Sequence, residues 1–157
     1  MKKDTSLVRN LLKAEKYKFR FLEASLTQAA AAGNVDVVQL LLDHVNSGDV
    51  TAALWVVFSA AAKAGKDEFM RLTDAIKLRD TSVPSEALHW AAWSGRSEYI
   101  KPLMDNGAEI NGDLHGRRAL HAAAKNGQLD CLTTLIEHGA DVNAGAGRAT
   151  PLHSAAM

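Results

Sequence analysis

Three histidines recur at one interval: His89, His121 and His153 stand 32 residues apart. Imidazole is a common general base and a common metal ligand, so the spacing poses a choice between chemistry and architecture. Catalysis would need a nucleophile or an orienting carboxylate converging on one ring. Zinc would need its ligands clustered at short spacing. Neither pattern is present around these three: successive histidines fall on separate copies, with no adjacent acid to orient the ring. Each sits instead in a stretch of like composition: "SEALHWAAWSG" (85–95), "RALHAAAKNG" (118–127) and "RATPLHSAAM" (148–157). The lone thiol, Cys131, has no basic neighbour in sequence to lower its pKa and reads as a small buried hydrophobe. No phosphate-binding loop, nucleotide fingerprint or nucleophile elbow occurs. The glycines of "GAGR" (145–148) lack the strand-to-helix setting such a loop requires. The sequence therefore points to no catalytic residue, metal ligand or cofactor.

The elements that carry the histidines form a repeat. Gly33, Gly65, Gly95 and Gly127 are spaced 32, 30 and 32 residues apart. An alanine pair begins four residues before each: Ala29-Ala30, Ala61-Ala62, Ala91-Ala92 and Ala123-Ala124. Three residues after each glycine stands an acid, Asp36, Glu68, Glu98 or Asp130. An apolar pair follows: Val37-Val38, Phe69-Met70, Tyr99-Ile100 and Cys131-Leu132. This predicts two short helices per copy. Alanine has high helix propensity and no bulk, which suits a crowded inner helix. Glycine ends that helix because the left-handed conformation costs it little. The acid then meets the positive end of the next helix dipole, and apolar residues at helical spacing, as in "VVQLLL" (37–42) and "CLTTLI" (131–136), give one buried stripe. After the second helix, "NGAEIN" (106–111) and "HGADVN" (138–143) match in type, with Gly107 and Gly139 as helix stops. Glycine-rich "GDLHGRR" (112–118) and "AGAGRAT" (144–150) read as projecting turns.

This pattern resembles the ankyrin repeat, on the strength of "TPLHSAA" (150–156), "RALHAAAKNG" (118–127) and "HGADVNA" (138–144). The resemblance spans about residues 24–157 and is degenerate in the N-terminal half. Copy two has Phe58 and Ser59 in place of Leu-His, and Thr73-Asp74 in place of two aliphatics. "DHVNSGDV" (43–50) and "KLRDTSVPSEA" (77–87) replace the regular turns, which puts hairpins in the first half in doubt. The resemblance implies an all-α solenoid of stacked helix pairs with short β-hairpin turns. Residues 1–23, with the amphipathic basic stretch "SLVRNLLKAEKYKFRF" (6–21), are expected to form an N-terminal helical cap. Residues 24–157 would hold about four repeats and an incomplete fifth. In the family the recurring histidine bonds backbone around neighbouring repeats, a structural role that falls here to His89, His121 and His153. Pro102, inside the second helix of copy three, is expected to kink it. His44 and His138 end second helices, where a partly positive ring suits the dipole.

The resemblance also implies binding of a protein or peptide on a concave face built from first helices and hairpin tips. The repeat leaves variable the residue after the histidine and the two before the glycine. In copy three these are Trp90, Trp93 and Ser94; the two tryptophans are expected to look outward or onto a neighbouring hairpin, while Trp55 is expected in the core. In copy four the positions are Ala122, Lys125 and Asn126. The tip between adds Asp113, Leu114, His115, Arg117 and Arg118. Tryptophan with Arg117 and Lys125 suits an acidic-aromatic peptide or a carboxylate-rich protein surface. Lysines and arginines balance acids at 18 each, which argues against a nucleic-acid surface. No stretch approaches the ~20 apolar residues of a membrane span and no secretory leader is evident. One cysteine and no leader suggest a reducing cytoplasmic or nuclear setting. The expected activity is thus non-enzymatic. The alternative is a recognition or spacer region of a larger enzyme or host-targeted effector, motivated by a fifth copy that breaks off at Met157. That end lacks a polar cap and could pair with another copy.

Overall fold

A computed structural model describes residues 19–45, 49–77, 82–113, 118–143 and 151, with side chains from Leu22 onward. Among them are eight helices and no strand. They are α1 (Phe19–Ala31), α2 (Val35–Leu42), α3 (Val50–Ala64), α4 (Lys66–Lys77), α5 (Val83–Ser94), α6 (Ser97–Asp105), α7 (Ala119–Lys125) and α8 (Leu129–Glu137). They fall into two compact units, residues 1–79 and 80–157. In the first unit α1 packs on α2 and α3 on α4, with first helix against first helix and second against second. The second unit repeats this with α5 on α6, α7 on α8, α5 beside α7 and α6 beside α8.

The alanine–glycine corner works as its composition predicts. The amide that follows the glycine reaches back to the first carbonyl of the alanine pair in three copies: Asn34 to Ala29, Arg96 to Ala91 and Gln128 to Ala123, each at 2.9 Å. This six-to-one closure needs a left-handed residue at the glycine, and Gly33, Gly95 and Gly127 have φ of 66°, 78° and 65°. At Gly95 the next copy closes in as well, since a Cβ there would run into the Gln128 carboxamide. Both alanines of every pair are buried, as is the residue that opens each apolar pair: Val37, Phe69, Tyr99 and Cys131. Second helices end the same way, with Ala108 N–H on Leu103 and Ala140 N–H on Leu135, each at 2.9 Å.

The departures fall where the repeat is degenerate. At copy two, helix α3 starts at Val50, inside the irregular link 43–50, and runs 15 residues. Ahead of copy three, Pro84 occupies the first turn of α5, where its missing N–H costs nothing, and the helix starts at Val83. Part of the irregular 77–87 link is therefore helical. The helix α1 starts at Phe19, so the expected boundary between cap and repeats at residue 23 falls inside it. Most of the expected cap, residues 1–18, lies outside the described residues, as do the tips 114–117 and 144–150. Helix α6 continues through Pro102 to Asp105.

Side chains tie neighbouring copies together. In the first unit Gln39 Nε2 donates to Ala75 O at 3.0 Å. Arg71 donates to Gly33 O at 2.6 Å while paired with Glu68 at 2.7 Å, a pairing that raises its pKa. In the second unit Asn111 holds the following link from both ends: its Oδ1 accepts from Asp141 N–H at 2.9 Å, and its Nδ2 donates to Gly139 O at 3.4 Å. Asn111 therefore fixes one copy's turn against the next.

Candidate partner-binding site

Helix α5 places the copy-three side chains, and the two tryptophans divide. Trp93 is 45% exposed, but Trp90 is only 5% exposed. Of the two orientations expected, outward or onto a neighbouring hairpin, Trp93 takes the outward one and Trp90 does not. Three helical residues turn through about 300°, so the two rings point about 60° apart, enough for one to be packed and the other solvated. Ser94 is half-buried and donates its hydroxyl to Ala91 O at 3.3 Å. On α7, Lys125 is exposed, while Asn126 caps its helix by donating Nδ2 to Ala122 O at 2.8 Å. Trp93 and Lys125 occupy the same register position, 32 residues apart, on the adjacent first helices α5 and α7. Leu114, His115 and Arg117 lie outside the described residues. Trp55 is half-buried on α3.

The two described repeat histidines are buried. His121 Nδ1 accepts from Arg118 N–H at 3.4 Å and so holds the first turn of α7. A ring nitrogen that accepts carries no proton, which leaves Nε2 as the N–H of the neutral ring. His89 takes the same register position on α5 and is 8% exposed. His153 lies outside the described residues. Replacing His121 with alanine removes an acceptor from a buried helix start, so His121→Ala is expected to cost about 1–3 kcal/mol in urea unfolding. His44 and His138 are exposed, and each ring Nδ1–H donates to the carbonyl four residues back, Leu40 at 2.8 Å and Thr134 at 2.7 Å. His44 thus supplies a donor to a carbonyl at its helix end, and His138 adds a second donor to Thr134 O, which also accepts the His138 backbone N–H at 3.2 Å.

Cys131 is buried on α8 with its thiol 3.8 Å from Ala91 O. Burial, reinforced by Glu98 and Asp130, pushes its pKa up to about 11. Thiolate is the reactive form, so at pH 8 the native protein is expected to react with a thiol reagent far more slowly than the urea-unfolded chain. Equal rates would show that Cys131 is accessible. Among the described residues no His, Cys, Asp or Glu side chains gather in threes as a metal would require, and no helix is long and apolar enough to cross a membrane.

Sequence reasoning missed a cavity of about 310 Å³ beside α5, lined by Ser85, Leu88, His89, Glu109, Gly112 and Asp113 among others. Glu109 N–H donates to Ser85 Oγ at 3.1 Å and ties the link 106–113 to that helix. The spacing of Ser85 and His89, one helical turn apart, carried the signal. It went unread because it falls outside the variable repeat positions.

No curated protein matches the chain. Residues 88–157 match the family model described as ankyrin repeats, in 3 copies, a family whose members are generally protein–protein interaction modules. Within that span the glycine corners, the paired short helices and the buried His89 and His121 agree with the match.

Proposed function

We propose that the chain is a non-enzymatic binding module that recognises a protein or peptide on the side formed by its first helices and links, around copies three and four. That side is the concave face expected of the fold. Exposed Trp93 is the observation that carries this reading, because α5 otherwise buries nine of its twelve residues. Tryptophan is enriched among residues whose truncation costs an interface ≥ 2 kcal/mol. Lys125, in the same register one helix along, supplies a cation for an acidic or aromatic partner segment. Ser94 and Asn126 already bond backbone at their own helix ends, so they flank the contact and do not anchor it. A reducing compartment, cytosol or nucleus, suits the single buried thiol.

Capture of partners from cell extract by wild-type protein, Trp93→Ala and Lys125→Glu tests the reading, with thermal unfolding of each variant in parallel. A specific partner retained by wild type and lost by both variants at unchanged stability supports it. A partner retained by both variants removes this face from recognition.

A further inference from the structure

We infer that Asn111-Gly112 is a site of deamidation, and that its conversion releases the link between copies three and four. Asparagine is a chemically labile residue, most of all before glycine, where no side chain shields the amide nitrogen that attacks it. The chain has three such pairs, Asn106-Gly107, Asn111-Gly112 and Asn126-Gly127. The first and last close helix ends, and successive amides lock them. Gly107 N–H bonds Met104 O and Ala108 N–H bonds Leu103 O, both at 2.9 Å; Gly127 N–H bonds Ala124 O at 3.2 Å and Gln128 N–H bonds Ala123 O at 2.9 Å. Asn111 is exposed in a link instead, and Gly112 N–H bonds Glu109 O in a turn at 3.0 Å.

The Asn111 carboxamide is also activated. Asp141 N–H donates to its Oδ1 at 2.9 Å, which draws electron density from Cγ and stabilises the oxyanion that forms when Cγ is attacked. Among the described residues Asn126 bonds through Nδ2 alone, to Ala122 O. In the reaction the Gly112 nitrogen gives its proton to hydroxide and bonds to Asn111 Cγ. The Cγ–Nδ2 bond breaks, and ammonia leaves after taking a proton from water. Water then opens the resulting succinimide. Cleavage between the Gly112 nitrogen and Cγ leaves aspartate; cleavage between that nitrogen and the main-chain carbonyl carbon leaves isoaspartate, with the backbone running through Cβ and Cγ. Either product loses the Nδ2 donor to Gly139 O and sets a negative charge beside that carbonyl. Isoaspartate also lengthens the main chain, which moves the carboxylate away from the place where Oδ1 met Asp141 N–H. The tie between the two copies is thereby undone, wherever a partner binds.

The full chain incubated at pH 8, with and without urea, tests this by peptide mapping of aspartate and isoaspartate at positions 106, 111 and 126. In the native chain position 111 is expected to convert about fivefold or more faster than the other two, the worth of about one further hydrogen bond to open. In urea the three rates converge. Native conversion at 106 or 126 as fast as at 111 overturns the proposal, as does a native chain that keeps Asn111 while the unfolded chain loses it. Ion exchange separates the converted chain by its added negative charge. Hydrogen exchange at the Asp141 amide is expected to be about fivefold faster in that chain. Exchange there equal to that of the unconverted chain overturns the release of the link.

Discussion

Replacing Trp90 with alanine is expected to destabilise the protein by about 3–5 kcal/mol, the range for truncating a large buried aromatic. Trp93→Ala is expected to stay within about 0.5 kcal/mol of wild type, as surface substitutions usually do. The two residues have the same chemistry, lie three positions apart on one helix, and differ in exposure by 5% against 45%. Burial alone therefore separates the outcomes. Trp90 lies inside a buried run on α5 that extends from Glu86 to Ala92. Alanines cannot close over the space that an indole leaves, so the cavity term persists in full. Urea unfolding followed by far-UV circular dichroism measures both variants under one condition. A Trp90→Ala protein as stable as wild type would place that ring at the surface and return it to the binding site.

Phe58→Ala is expected to cost a similar 3–5 kcal/mol, for a different reason. Copy two lacks the histidine, and Ser59, which stands in its place, is exposed. Phe58 replaces the leucine and reaches the second helix, where its ring centroid lies 5.5 Å from that of Phe69 at an interplanar angle of 44°. Both rings are fully buried. The helix pair of copy two thus has an aromatic contact where copy four has an imidazole at the helix start. Tilted pairs of this kind contribute about 0.5–1.5 kcal/mol beyond the area they bury. A double-mutant cycle of Phe58→Leu and Phe69→Leu isolates that share. A cost below about 1 kcal/mol for Phe58→Ala would mean that copy two is held elsewhere.

The parts of the fold legible in the sequence are those that depend on backbone conformation. Gly33, Gly95 and Gly127 had to be glycine or pay for a left-handed turn, and their alanine pairs had to be small. Such constraints leave residue types at fixed offsets. The early starts of α3 at Val50 and α5 at Val83 were not legible, because no turn residue marks them. "DHVNSGDV" and "TSVPS" read as loops until Pro84 is recognised as a first-turn proline. Burial of Trp90 was hidden for another reason: repeat register says which positions vary, and not which of two neighbouring directions is packed. The cavity depends on the link 106–113 folding back on α5 through Glu109 and Ser85, a contact between residues 24 apart that no local pattern announces. Asn111 escaped notice in the same way, since its partners Gly139 and Asp141 belong to the next copy.

His121 holds the start of its helix, and the proposed reading assigns recognition to side chains that leave the first helices. Photo-crosslinking in cells tests this most directly, with a photoreactive phenylalanine analogue placed at position 93 on α5 or at position 133 on α8. Thr133 is exposed on a second helix, remote in register from the proposed face. Discrete covalent adducts from position 93 and none from position 133 are the predicted result. Adducts from position 133 with none from position 93 would contradict it and move the binding surface to the second helices.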